Sequence, residues 1–144
     1  MNIFLKHLPQ WLWAAGIVQL ALALGSIAIP FLLRWKEEMA KVNGLIRSIF
    51  YTYSVYIFAT NIWFGLISVC IPRQLAGASP LALATTIFIA LYWWGRVAVQ
   101  FRFGRAPGRP AGLFFTLGEI VLWLLFLALA AVYTLAACHN AGAL

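Results

Sequence analysis

Charge is what this chain has least of. Charged side chains make up only 9% of its 144 residues, and aspartate is absent altogether. An ordinary soluble domain is about a quarter charged and about half apolar, whereas here 65% of residues are hydrophobic. A soluble domain is therefore excluded. Histidine is scarce as well: His7 and His139 are the two present, and neither falls inside an apolar run. Paired axial ligands for a membrane b-type haem are thus missing. Both histidines sit near predicted helix ends, where such residues are usually solvated rather than bound to metal. There is no Cys-x-x-Cys, no glycine-rich phosphate loop and no serine with a credible base nearby. No cofactor and no metal is expected. Cys70 and Cys138 fall at the outer ends of predicted helices, where an oxidising compartment permits a disulfide, although free thiols are the commoner outcome.

What is present is a series of long apolar runs. At ~20 residues per crossing of a ~30 Å hydrocarbon core, four spans consume most of the chain. One transmembrane domain, residues 1–144, is therefore expected to be the whole, an all-α integral membrane four-helix bundle. The first span covers about 8–33, with Pro9 tolerated in the opening turn and Trp11 and Trp13 as an interfacial anchor. A cleaved signal peptide is the competing reading, because Lys6 precedes an apolar run containing Ala21-Leu22-Ala23. That run is too long for such a segment. The second span covers about 48–71 and is closed by Pro72. The third, about 80–103, opens on Ser79-Pro80, a hydroxyl cap followed by proline at the first helical position. Helix breakers from Gly104 to Pro110 form the connection to a fourth span over about 111–137.

The formal net charge is +7 and the pI is near 10. Its basic residues gather in two loops rather than a surface stripe, so nucleic acid is not expected as a partner. Arg34, Lys36, Lys41 and Arg47 flank the first connection and Arg102, Arg105 and Arg109 the third, against Lys6 and Arg73 on the other side. Positive loops stay in the cytoplasm, which predicts both termini on the outer face of a bacterial inner (plasma) membrane. Within the first connection Trp35, Met39, Val42 and Ile46 stand near helical spacing, with Glu37 four residues before Lys41. This predicts an amphipathic extension of the first helix at headgroup level.

Two ionisable residues fall inside spans, Arg96 and Glu119, and each is costly if it faces lipid alone. Counted inward from Arg102 and Pro110, each lies roughly 9 to 13 Å from its helix end at 1.5 Å per residue, so a pair at matching depth is expected. At its simplest such a pair registers the third helix against the fourth, with Gln100 one turn away and Trp93 stacked on the guanidinium. Alternatively it lines a polar pocket with Thr52, Tyr53 and Tyr56, suited to a lipid headgroup, a quinone or a small anion. Gln19 and Asn61 are amides near mid-membrane and need interhelical partners, which they would find in each other. A proton or ion track along Thr52, Tyr56, Thr60 and Asn61 lacks titratable groups at mid-depth. Small residues in the first helix include the Ala21 to Gly25 spacing that permits close helix approach.

The size, basic pI and outward termini resemble the four-helix layout of the eicosanoid and glutathione membrane family, whose members are trimers handling lipophilic substrates. That family's Arg/Asn/Glu signature before its second helix is replaced here by Arg47-Ser48-Ile49-Phe50-Tyr51-Thr52-Tyr53, so no residue roles carry over. The leading expectation is a non-enzymatic accessory subunit or small homo-oligomer in contact with membrane lipids. A membrane enzyme or binder for a lipophilic or lipid-headgroup ligand, and a small channel or transporter, are the alternatives. For the topology, a membrane-impermeant thiol probe on intact cells should label a cysteine placed at Gly77 and spare one at Gly44 or Gly108. The reverse pattern contradicts the inside placement of the basic loops.

Overall fold

The computed structural model describes residues 5–103 and 112–144, and every regular element in them is helical. In chain order these are α1 (Leu8–Ser26), α2 (Ile29–Leu32), α3 (Trp35–Ala40), α4 (Gly44–Cys70), α5 (Pro72–Leu75), α6 (Pro80–Phe103) and α7 (Leu113–Asn140). Four segments are long and apolar enough to cross a membrane: Leu8–Leu32, Gly44–Cys70, Pro80–Phe103 and Leu113–Asn140. Local chemistry sets their boundaries. Proline stands in the first turn of α1, where its missing N–H needs no partner. The Asn43 side chain accepts from the Leu45 amide at 2.9 Å to cap α4, and Ser79 Oγ accepts from the Ala82 amide at 3.1 Å to cap α6. Arg105, Arg109 and the helix breakers around them lie outside the described residues.

The first connection does not extend the first helix. Arg34 adopts a left-handed backbone (φ 49°, ψ 45°), which breaks the helix there ahead of the separate helix α3. Such a conformation costs about 1–2 kcal/mol for a non-glycine residue. The turn brings Trp35 edge-on against Phe50 of α4, with ring centroids 4.7 Å apart, and that contact offsets the strain. The expected Glu37–Lys41 pairing gives way to Arg34–Glu37 at 3.5 Å and Glu38–Lys41 at 2.8 Å. Both are exposed pairs and contribute little to stability.

Packing is arranged as two antiparallel hairpins, α1 with α4 and α6 with α7. In the second hairpin Trp93 stands beside Phe126 and Phe101 beside Trp123, which sets the register. The hairpins meet where α1 touches α7 and where the short helix α5 touches both α1 and α6. That junction lies at the end of the molecule carrying the chain ends. Buried side chains follow the same bias: Leu8, Leu12, Phe64, Ile89 and Tyr133 are fully or nearly fully covered toward that end, and Trp93 is covered near the middle of α6. On α4 the buried residues are Phe64, Gly65 and Ser68, all in its last third. Toward the basic loops α4 is largely exposed, as Tyr53 and Tyr56 show at 62% and 64%.

Close helix approach occurs at a pair of glycines other than the spacing expected. A Cβ placed on Gly16 would sit 2.8 Å from Val69, and 2.9 Å from both the Gly65 carbonyl oxygen and Ser68 Cβ. Gly65 likewise faces Leu20 at 2.7 Å and the Gly16 carbonyl at 3.2 Å. Ala21 and Gly25 are exposed instead, and a Cβ on Gly25 would meet no atom within 4 Å. Residues three to four apart share a face, so Ala21–Gly25 does form a small-residue stripe, but it points away from α4. Gly16→Ala should therefore destabilise the extracted protein by about 1–3 kcal/mol, because a backbone oxygen must move. Gly25→Ala should be neutral or stabilising by up to ~1 kcal/mol through helix propensity. Thermal unfolding in detergent compares the two, and equal losses contradict the glycine crossing.

Candidate functional site

Each of the four long helices contributes one side chain to a polar crossing in the shared core. Gln19 comes from α1, Ser68 from α4, Trp93 from α6 and Tyr133 from α7, and none is more than 2% exposed. Gln19 Nε2 donates to the Tyr133 hydroxyl and also reaches the Ala15 carbonyl at 3.4 Å. Trp93 Nε1 donates to Gln19 Oε1 at 3.1 Å. Ser68 donates to the Phe64 carbonyl at 2.8 Å, so its 2.6 Å contact with Tyr133 is filled by the tyrosine proton. Every donor in the set is then used, and each oxygen accepts. A network saturated in this way holds helices together and leaves no donor over for a ligand.

Gln19 and Asn61 do not bridge one another. Gln19 faces α6 and α7, whereas Asn61 donates to the Tyr92 hydroxyl of α6 at 2.6 Å and to its own helix at the Ile57 carbonyl at 2.8 Å. Phe64 packs edge-on to Phe88 and Tyr92 beside this bond, with ring centroids 5.7 and 5.2 Å away. These contacts define the α4–α6 register and the face that α4 turns toward α6. At about 100° per residue, Tyr53 lies roughly 80°, Tyr56 roughly 140° and Thr52 roughly 180° around α4 from Asn61. Depth alone placed these three beside Arg96; angular position turns Tyr56 and Thr52 elsewhere and leaves Tyr53, four residues from Ile57 and eight from Asn61, at the edge of the side facing α6. Thr52 donates to the Ser48 carbonyl at 2.9 Å. Ser54, half-buried and donating to the Phe50 carbonyl at 2.8 Å, occupies the inward face instead.

Arg96 and Glu119 are also placed differently from expectation. The guanidinium carbon of Arg96 lies 5.4 Å from the centre of the Phe126 ring, a cation–π contact. Glu119 is seven residues before Phe126, two turns or roughly 10 Å nearer the loop end at 1.5 Å per residue. The register set by Phe101 and Trp123 therefore puts the two at different depths. Among the described residues the ion pairs are Arg34–Glu37 and Glu38–Lys41, and an Arg96–Glu119 pair is not one of them. The inward counts failed because the aromatic contacts between α6 and α7 set Arg96 about level with Phe126 rather than with Glu119.

At the opposite end, Asn140 Nδ2 donates to the Leu75 carbonyl at 2.9 Å and contacts Thr86 Oγ1 at 3.3 Å, tying α7 to the α5 turn and α6. Asn140 Oδ1 and His139 Nδ1 are buried without a hydrogen-bond partner among the described residues. Cys70 and Cys138 are free thiols. Three or more His, Cys, Asp or Glu side chains do not converge anywhere among the described residues. A shallow groove of about 200 Å³ lined by Pro9, Gln10, Trp13, Pro72 and Arg73 lies at this same end, far from Arg96.

Sequence reasoning overlooked Tyr133 and Trp93 as partners of Gln19, and Ser68 as the partner of Tyr133. A signal was available, since Tyr133 is a lone hydroxyl on the Leu129–Ala130–Tyr133–Ala136–Ala137 face. Tyr133→Phe should cost about 1–3 kcal/mol, because it leaves a buried Gln19 N–H unpaired. Combining it with Gln19→Leu should cost less than the sum of the single changes, and strict additivity in detergent melts contradicts a shared network. Comparison with protein-family models, with curated proteins and with solved structures gave no match.

Proposed function

We propose that the chain is a non-enzymatic integral membrane protein that acts by assembling within the bilayer, as an accessory subunit or as a small oligomer. The observation that supports this is the face of α4. Its outward side carries Tyr53, Tyr56 and Trp63, each more than 60% exposed, on a helix long enough to cross the membrane. A tyrosine hydroxyl at that depth has neither water nor lipid tails to bond with, so an adjoining helix is the economical partner. The polar crossing supports the same reading, because its groups are committed to one another.

On this account residues 1–144 form one four-helix membrane domain. The basic loops face the cytoplasm and both termini face outward, as expected for a bacterial inner-membrane protein. Native mass measurement of particles extracted in mild detergent should find an assembly heavier than the 16.0 kDa chain. Tyr53→Phe together with Tyr56→Phe should weaken that assembly at least several-fold while leaving the monomer's helix content intact. A particle that stays monomeric across mild extraction conditions contradicts the proposal.

A further inference from the structure

Where α4 parts from α6, the structure leaves a cation inside the membrane. Tyr92, Arg96 and Gln100 stand at four-residue intervals on α6 and so share one face, and Tyr92 on that face is bonded to Asn61 of α4. Arg96 thus points into the crevice between α4 and α7, beside Phe126. Continuing the Asn61–Tyr92 register toward the loops brings Ile57 about level with Arg96, and Tyr53 and Ser54 about level with Gln100. Ile57 is 47% exposed, so the crevice is open to the side.

The direction of the arginine matters. Helical side chains lean toward the helix N-terminus, and for α6 that is the end away from the basic loops. Against that lean stands the Phe126 ring, about level with Arg96 on the neighbouring helix, which receives the guanidinium and holds it at about its own depth in the span. A guanidinium so placed has five donors in a planar fork that matches phosphate. Its half-buried neighbour Gln100 adds an amide on the loop side.

We propose that this crevice binds the phosphodiester of an anionic phospholipid, with Arg96 as the phosphate ligand, Gln100 and Ser54 as flanking hydrogen-bonding groups, and Ile57 and Phe126 against the acyl chains. The apolar walls and lateral opening favour a lipid over free phosphate, because acyl chains cover the apolar wall that a free ion would leave bare. The exposed Arg34, Lys36, Lys41, Arg47 and Arg102 at the same end enrich anionic lipids in that leaflet. The site does not depend on assembly, and its test reads lipid rather than mass.

The protein is reconstituted in phosphatidylcholine nanodiscs doped with spin-labelled phosphatidylglycerol or spin-labelled phosphatidylcholine, and the motionally restricted fraction is compared. Wild type should prefer the glycerol lipid about fivefold. Arg96→Gln should abolish the preference, Arg96→Lys should keep a part of it, and Arg102→Gln should leave it nearly unchanged. Equal loss in the Arg96 and Arg102 variants means diffuse surface charge and overturns the site. Displacement of the labelled lipid from wild type by millimolar inorganic phosphate, at constant ionic strength, identifies a free-anion site and overturns the lipid assignment. Should Arg96→Gln fail to fold, the wild-type preference and the phosphate competition still decide the matter, and absence of preference overturns the proposal.

Discussion

A polar side chain inside a bilayer has no water to bond with, so it must find protein. In this molecule the demand is met at one place by all four long helices together, through Gln19, Ser68, Trp93 and Tyr133. An apolar contact between helices competes with equally apolar lipid tails and discriminates weakly; a buried amide with three named partners discriminates strongly. The glycine crossing of α1 and α4 works toward the same end. By removing two Cβ atoms it lets Ser68 come within reach of Tyr133. Backbone approach and side-chain bonding are in this sense one device.

From that clamp the rest of the architecture follows. The hairpins are joined near the chain ends by the crossing and by Asn140, which binds the Leu75 carbonyl of the intervening turn. Toward the basic loops nothing comparable among the described residues draws α4 against α6, and the buried core thins out after Asn61 and Tyr92. Tyrosines are left on one side of α4 and Arg96, against the Phe126 ring, on the other. The proposed association through the first and the proposed lipid binding at the second both draw on a structure that is tight at one end and open at the other.

Much of the span layout was legible in the sequence, because hydrophobic length and proline position act locally. Pro72, Ser79 and Pro80 marked real boundaries, and the third span matched α6 residue for residue. What escaped depended on rotation and crossing. Arg34 breaks the helix by a backbone choice that its side chain does not advertise. Ala21 and Gly25 have the spacing for close approach, but spacing does not say which side of α1 meets α4. Thr52 and Tyr56 were placed beside Arg96 by depth, and a rotation about the helix axis separates them. Gln19 and Asn61 were rightly read as needing partners, yet one sequence contains too many hydroxyls and ring N–H groups to say which. No inference reaches the connection at 104–111, which lies outside the described residues.

The central claim is that the four-residue polar crossing, rather than general apolar contact, joins the two hairpins. Splitting the chain in the turn between them, and co-expressing residues 1–77 with residues 78–144, puts this to a direct test. If the claim holds, the two halves co-purify from detergent, Gln19→Leu or Tyr133→Phe sharply reduces recovery of the complex, and Tyr56→Phe leaves it unchanged. Co-purification that is indifferent to Gln19 and Tyr133 would contradict the account.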